Sequence, residues 1–259
     1  MPIVASQNQR VHYHIEGERG PYLILHPPLL LPVTCWYLSR YVDSLIENYR
    51  IILIEPLGQG KSDAPENPNY YTINSRIQHV LAVIKEIGIE NFHFLGIGLG
   101  AQVGFMLAAQ HPQRIRSLST IEGHPYPMTT EMQEMEEGVQ QLKSKEIGNY
   151  LQRWLSNKQL SLEQQEAIKR GNPKAYAIAL SAMSHWPGIG EQLPSLTIPT
   201  LLFTATSETR FLSIREAGRS MQYGRYIILP KLKYNYGLLD AELIIEPLVD
   251  FIRKQRWPH

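Results

Sequence analysis

The sequence has little cysteine and no long apolar run. Its 259 residues include a single cysteine, Cys35, so no disulfide can form within the chain and a reducing compartment is expected. No stretch approaches the roughly 18 consecutive apolar residues of a membrane-spanning helix. The first ten residues lack the apolar segment of a signal peptide. We therefore expect a cytoplasmic protein without a membrane span.

Charge of one sign is also scarce. The 25 lysines and arginines nearly balance 24 aspartates and glutamates, which leaves a formal net charge of +1. Basic residues are scattered, so no strong positive field predicts a nucleic-acid partner. We expect a small-molecule ligand, and the sequence predicts no metal or organic cofactor. It leaves the oligomeric state open, with a homodimer as one option.

Short apolar segments alternate with amphipathic ones up to about residue 121. Residues 22–25, 51–54 and 92–95 lack the polar alternation of half-exposed strands, which is typical of strands buried on both faces. Residues 72–87 carry apolar side chains at helical spacing, and Gly88 is placed to end that helix. The alternation predicts a parallel sheet with helices on both faces. Residues 10–15 alternate and predict an edge strand, and residues 36–47 predict a helix.

The alternation stops between residues 126 and 190. This stretch is rich in Glu, Gln, Met and Lys, with helical patterns near 129–145, 147–156, 161–170 and 173–185 and no convincing strand. A strand pattern resumes at 199–204, followed by a helix near 211–221, a last strand at 226–229 and a last helix at 241–254. We therefore predict a core domain formed by residues 1–125 and 191–259, with residues 126–190 inserted after the sixth strand as a helical cap.

Three segments, in their order and spacing, resemble the α/β-hydrolase family. Residues 55–63 (EPLGQGKSD) look like the family loop Asp-x-x-Gly-x-Gly-x-Ser. Residues 96–100 (GIGLG) stand where its Gly-x-Ser-x-Gly elbow belongs, and residues 108–115 are similar to the segment after the elbow helix. The resemblance covers nearly the whole chain. It implies an α/β-hydrolase fold, a mostly parallel, doubly wound sheet that binds its ligand at the carboxyl ends of the strands.

The elbow has glycine where the family keeps its serine nucleophile. Gly98 has no atom that can attack a substrate, and glycine tolerates the strained conformation of that turn. The family histidine is expected soon after the last strand, where Tyr234 or Tyr236 stands instead. A phenol with a pKa near ~10 is a poor general base at neutral pH. We therefore do not expect an ordinary serine esterase.

The acid and half of the oxyanion hole remain as candidates. Glu208 follows the strand end that often carries the family acid, and Glu122 stands where dehalogenase-like relatives place theirs. The family His-Gly pair is replaced by His26 and two prolines, and Pro28 has no N–H to donate. The amide of Leu99, at a helix N-terminus, should remain as the second donor.

The predicted site therefore combines a vacant nucleophile position with polar groups at the strand ends. We expect His26, Pro28, Leu99 and Trp36 to contact the ligand. His26 and His124 are candidate substitute bases, and Cys35, at a predicted helix start, is a minor candidate nucleophile.

The leading hypothesis is a protein that binds a small apolar carbonyl- or carboxylate-containing molecule between core and cap. It acts either as a non-catalytic binder or in lyase- or isomerase-type chemistry. The alternatives are a hydrolase that uses an unusual base and an activated water, a dinucleotide-binding protein, and a partner-binding module. The dinucleotide hypothesis rests on Gly96-x-Gly98-x-x-Ala101, with Glu122 near the expected ribose-binding acid.

Overall fold

An eight-stranded, mostly parallel sheet forms the centre of the molecule. The computed structural model describes residues 2–127, 136–137, 139–140, 161–183, 185–206, 210–229 and 241–255. The strands are β1 (Ile3–Ser6), β2 (Gln9–Glu16), β3 (Tyr22–His26), β4 (Arg50–Ile54), β5 (Phe92–Ile97), β6 (Ile115–Ile121), β7 (Thr200–Thr204) and β8 (Gly224–Ile228). They lie in the order β1-β2-β4-β3-β5-β6-β7-β8, and only the β1–β2 and β2–β4 pairs are antiparallel. The predicted fold class is confirmed.

Helices cover both faces of this sheet. In the described residues they are α1 (Thr34–Leu38), α2 (Tyr41–Leu45), α3 (Ile73–Ile87), α4 (Leu99–Gln110), α5 (Leu162–Lys169), α6 (Pro173–Met183), α7 (Phe211–Ser220) and α8 (Ala241–Lys254). Neighbouring residues of a strand point to opposite faces. Leu23 and Leu25 of β3 accordingly pack in the apolar cluster that includes α1, α2 and α8. Ile24 packs in the cluster that includes α3, α4 and α7.

The chain start differs from the prediction. The strand predicted at 10–15 is confirmed as β2, but its predicted edge position is wrong, because β2 lies between β4 and an unforeseen edge strand, β1. Gln7 and Asn8 connect the two strands with φ of 53° and 61°. These positive φ values suit a tight hairpin turn. No glycine marks the turn, so the sequence gives little warning of it.

The predicted limits of α3 agree with the structure, but those of the first predicted helix do not. Thr72 caps α3, its Oγ1 accepting a hydrogen bond from the Ser75 N–H at 3.2 Å, and Gly88 ends it with φ of 77°. The helix predicted over 36–47 is instead two short helices, α1 and α2. Arg40 separates them because its φ of 62° is left-handed and interrupts the helix.

Helices α5 and α6 lie between β6 and β7 in the chain and contact the core. The Gln164 side chain donates a hydrogen bond to Ser39 Oγ at 3.1 Å. The two connections to this segment meet where the Ile189 N–H donates to the Pro125 carbonyl at 2.7 Å. The predicted helices near 129–145 and 147–156 fall largely outside the described residues. No helix within the described part of the chain is both long and apolar enough to cross a membrane.

Candidate functional site

The turn between β5 and α4 has the geometry of a nucleophile elbow and a glycine at its summit. Gly98 has φ of 51° and ψ of −111°, a combination that strains any residue with a Cβ. The Gly98 N–H donates to the Ile121 carbonyl at 3.0 Å, and the Gly98 carbonyl accepts from the Ala101 N–H at 3.0 Å. Backbone contacts therefore hold the turn, and no side chain projects from residue 98.

Three further glycines allow the surrounding backbone to pack closely. A Cβ on Gly96 would lie 2.2 Å from the Gly100 carbonyl oxygen, and one on Gly100 would lie 2.3 Å from the His26 carbonyl oxygen. A Cβ on Gly123 would lie 2.2 Å from Ala101 Cβ. Real side chains do not tolerate such distances. Gly96 and Gly100 are therefore required for close packing, whatever ligand the elbow binds.

His26 lies at the end of β3, buried beside the elbow. Its Nδ1–H donates to the Pro27 carbonyl at 3.1 Å, and its ring stacks on Phe94 with centroids 6.1 Å apart. Burial, and then the charge of Arg76, lower the His26 pKa to about 3. His26 is therefore a neutral imidazole at pH 7 and a weak base.

The oxyanion side of the site retains one donor at the elbow. Pro28 is buried and, as a proline, has no N–H. Leu30, two residues further on, is fully buried with φ of 67°, a conformation that is rare for an L residue without a strong surrounding constraint. The Leu99 N–H, the first of α4, makes no hydrogen bond within the described residues. An N–H at the first position of a helix is a type of donor that can bind a carbonyl or carboxylate oxygen.

Glu122 and His124 follow β6, next to the elbow. Glu122 is 1% exposed and has φ of 49°, and its N–H donates to the Phe203 carbonyl at 3.0 Å. Such positive φ in a buried, non-glycine residue is backbone strain that often marks functional sites. His124 is also buried, and its Nδ1 accepts from the Tyr126 N–H at 3.2 Å. The proton of the neutral His124 ring is therefore on Nε2.

The other residues predicted for the site are either buried in the core or outside the described ranges. Trp36 is fully buried in α1 and packs edge-on against Tyr41, with ring centroids 5.1 Å apart. Cys35 is also buried, and burial raises its thiol pKa far above the usual range, which argues against a thiolate nucleophile. Glu208, Tyr234 and Tyr236 lie outside the described residues and stay predictions. No group of three or more potential metal ligands occurs in the ranges that the structure describes.

Glu55, at the end of β4, makes hydrogen bonds that were not predicted from the sequence. Its carboxylate accepts from the Lys61 N–H at 2.5 Å and lies 3.0 Å from His14 Nε2. Ser62 Oγ donates to the Glu55 carbonyl at 2.7 Å. A Cβ on Gly60 would lie 2.2 Å from the Glu55 carboxylate. The family-like spacing of residues 55–63 could have indicated this network.

The burial of Arg76 was also not predicted from the sequence. It is 4% exposed, although it stands three residues after Ile73 and one before Ile77, on the apolar face of α3. Helical spacing directs residue 76 towards the core, and a charged residue at such a position could have indicated a buried arginine.

The fold and the elbow together define the class of protein. The family model described as alpha/beta hydrolase fold matches residues 23–167, more than half of the chain, and the chain belongs to this family. Among curated relatives, the Putative carbamate hydrolase RutD of Stutzerimonas stutzeri (strain A1501) is 31% identical over 120 residues, 45% of this chain and 44% of that protein. The Cis-3-alkyl-4-alkyloxetan-2-one decarboxylase of Shewanella oneidensis is 27% identical over 117 residues, 44% of this chain and 36% of that protein.

The matches therefore span less than half the length of these two curated relatives. A solved structure, the enol-lactonase from Burkholderia xenovorans LB400, aligns with a larger share of the chain. It aligns with 97% of this chain and 100% of its own, with a TM-score of 0.84 and 21% sequence identity. At that identity the likeness shows the fold alone.

Proposed function

We propose that this chain binds a small, mostly apolar molecule with a carbonyl or carboxylate group at the elbow, between the sheet and residues 126–190. In this proposal, no reaction proceeds through a covalent intermediate on residue 98. The supporting observation is that Gly98 has the backbone conformation expected at the summit of a nucleophile elbow but carries no side chain. The Leu99 N–H, at the start of a 12-residue helix, supplies a donor for the ligand oxygen.

The remaining polar groups favour proton transfer or simple binding over nucleophilic attack. In the neutral His124 ring, Nδ1 accepts from the Tyr126 N–H and the proton is on Nε2, so neither nitrogen is placed to take a proton from a ligand. The Glu122 carboxylate is then the group best suited to accept a proton in a lyase- or isomerase-type step. The decarboxylase relative supports this proposal, since its name describes a reaction other than hydrolysis.

Hydrolysis by an activated water is the second candidate. The name of the carbamate hydrolase favours it. Its difficulty is the base: the His26 pKa of about 3 makes this imidazole weak, and His124 has no lone pair on Nε2. Glu122 would have to activate the water. Turnover of an ester, lactone or carbamate panel that Glu122→Gln abolishes, without a pre-steady-state burst, would favour this candidate.

Ligand binding at the elbow is tested by placing a methyl group at its summit. Gly98→Ala puts a Cβ where the family nucleophile points towards substrate. Gly88→Ala is the matched control, because Gly88 also has positive φ but a Cβ there meets nothing within 4 Å. A panel of small carboxylic acids and ketones is titrated by saturation-transfer NMR, with NADH as a dinucleotide comparison.

We expect at least one panel member to bind, and Gly98→Ala alone to weaken that binding about tenfold or more, because the added methyl group displaces the ligand from the Leu99 N–H. Binding that both variants leave unchanged would exclude the elbow as the site. Tight binding of NADH alone would favour the dinucleotide hypothesis.

A further inference from the structure

Arg76 is a buried arginine whose hydrogen bonds are incomplete. Its Nε donates to the Tyr71 carbonyl at 3.3 Å. Its Nη2 is enclosed and has no acceptor in the part of the chain that the structure describes. Buried donors nearly always have partners, because an unpaired one keeps the cost of losing water without a compensating bond. The missing acceptor therefore requires a physical explanation.

Within the described ranges, the charge of Arg76 also lacks a counter-charge. The ion pairs among the described residues all involve other cations. Burial lowers the Arg76 pKa to about 10, so the guanidinium remains charged at pH 7. The Tyr71 phenol would support that charge only as a phenolate, and a Tyr71 pKa of about 12 keeps it neutral. A buried charge without an opposite charge is strongly unfavourable.

The titratable groups that interact electrostatically with Arg76 do not supply the missing negative charge. The charge of Arg76 helps to lower the pKa of His26 to about 3 and that of His79 to about 4, so both imidazoles are neutral at pH 7. His79 Nδ1 is already engaged with Ser6 Oγ at 2.9 Å. Two neutral rings therefore lie within electrostatic reach of the cation, and neither supplies a negative charge.

We propose that the buried guanidinium of Arg76 binds a small carboxylate anion. Since Nε is bonded to the Tyr71 carbonyl, the two Nη atoms remain to form a fork, and a carboxylate matches such a fork with two parallel hydrogen bonds. A spherical anion such as chloride cannot satisfy both Nη atoms as well. This site rests on Arg76 and is independent of the ligand proposed for the elbow.

The test compares formate with two other sodium salts at equal ionic strength. Formate is the probe because it is the smallest carboxylate. Gluconate carries the same group on a bulky polyol that a buried site excludes, and chloride is spherical. The melting temperature of the whole chain is followed against salt concentration, and formate binding is measured directly by saturation-transfer NMR.

We expect formate alone to raise the Tm saturably, by about 3–6 °C relative to gluconate. Arg76→Met should abolish this response, and Arg76→Lys, which keeps the charge without the fork, should weaken formate binding at least tenfold. Arg219→Met, on the exposed end of α7, should leave the response intact.

Three results would overturn the proposal. A flat response to formate in the wild-type chain would mean that ordinary water satisfies Nη2. An equal, saturable response to chloride would exclude a carboxylate-specific site. Formate binding that survives Arg76→Met or Arg76→Lys unchanged would place the anion elsewhere. If Arg76→Met does not fold, the wild-type titration and Arg76→Lys still decide.

Discussion

Two loops at the same edge of the sheet are built in opposite ways. The loop of residues 55–63 is held by side chains, with the Glu55 carboxylate bonded to the Lys61 N–H and close to His14. The elbow at residues 96–100 is held by its own backbone, with glycines in contact with carbonyl groups. The first loop therefore depends on which side chains are present, and the second depends on which are absent.

This difference explains why the elbow keeps its shape with glycine at residue 98. The hydrogen bonds of Gly98 come from its own N–H and carbonyl, so the turn requires nothing from the side chain at this position. Glycine also removes the strain that a larger residue would experience there. The geometry of the turn therefore does not depend on a side chain at residue 98.

The largest effect is expected from Gly96→Ala. The new Cβ would meet backbone atoms of Gly100 at 2.2–2.3 Å, and backbone cannot move aside as a side-chain tip can. We expect a loss of about 4 kcal/mol or more in the free energy of unfolding, measured by urea denaturation. Gly88→Ala, which meets nothing, should cost about 1 kcal/mol. Equal costs would show that backbone packing does not hold the elbow.

The next largest effect is expected in the side-chain-held loop. Glu55→Ala leaves the Lys61 N–H without its acceptor and His14 without its partner, and should cost about 2–4 kcal/mol. Glu55→Gln keeps a carbonyl acceptor and should cost about half as much by urea denaturation. If glutamine is as damaging as alanine, the charge of Glu55 rather than its hydrogen bonds dominates.

Gly98→Ser should have a moderate effect. The serine Cβ would occupy a conformation with φ of 51° and ψ of −111°, which costs about 1–2 kcal/mol in stability. Of the described histidines beside the elbow, His26 is a weak base with a pKa of about 3, and His124 Nδ1 already accepts from the Tyr126 N–H. We therefore expect no labelling by a fluorophosphonate probe. Labelling of this variant would mean that a working base stands beside the elbow.

The smallest effect is expected from Asp63→Asn, at the end of the 55–63 loop. Hydrogen bonds from Arg10 hold the Asp63 pKa below its ordinary value of 3.8. A lowered carboxyl pKa stabilises the fold above 3.8, and this stabilisation is lost as the pH falls through the folded value. The Tm difference between wild type and variant should therefore be small at pH 7 and smaller still at pH 3. A difference that grows on acidification would contradict the assignment.

The sequence predicted the parts of the site that depend on local patterns. The spacing of the glycines located the elbow, and Thr72 and Gly88 marked the limits of α3. It could not predict the positive φ of Leu30 and Glu122, because neither residue type favours that conformation and only surrounding packing imposes it. The burial of Arg76 is similarly a property of how α3 packs, which a single sequence reveals only as a charge on an apolar face.

Intact-protein mass spectrometry tests the central claim most directly. The wild-type chain is incubated with a fluorophosphonate and, separately, with p-nitrophenyl acetate, and its mass is then recorded. Because Gly98 has no atom that can form a covalent bond to either reagent, we predict an unchanged mass with the fluorophosphonate. With p-nitrophenyl acetate we predict only scattered acetylation of exposed lysine amines. A stoichiometric adduct, mapped by peptide sequencing to any residue beside the elbow, would contradict this account.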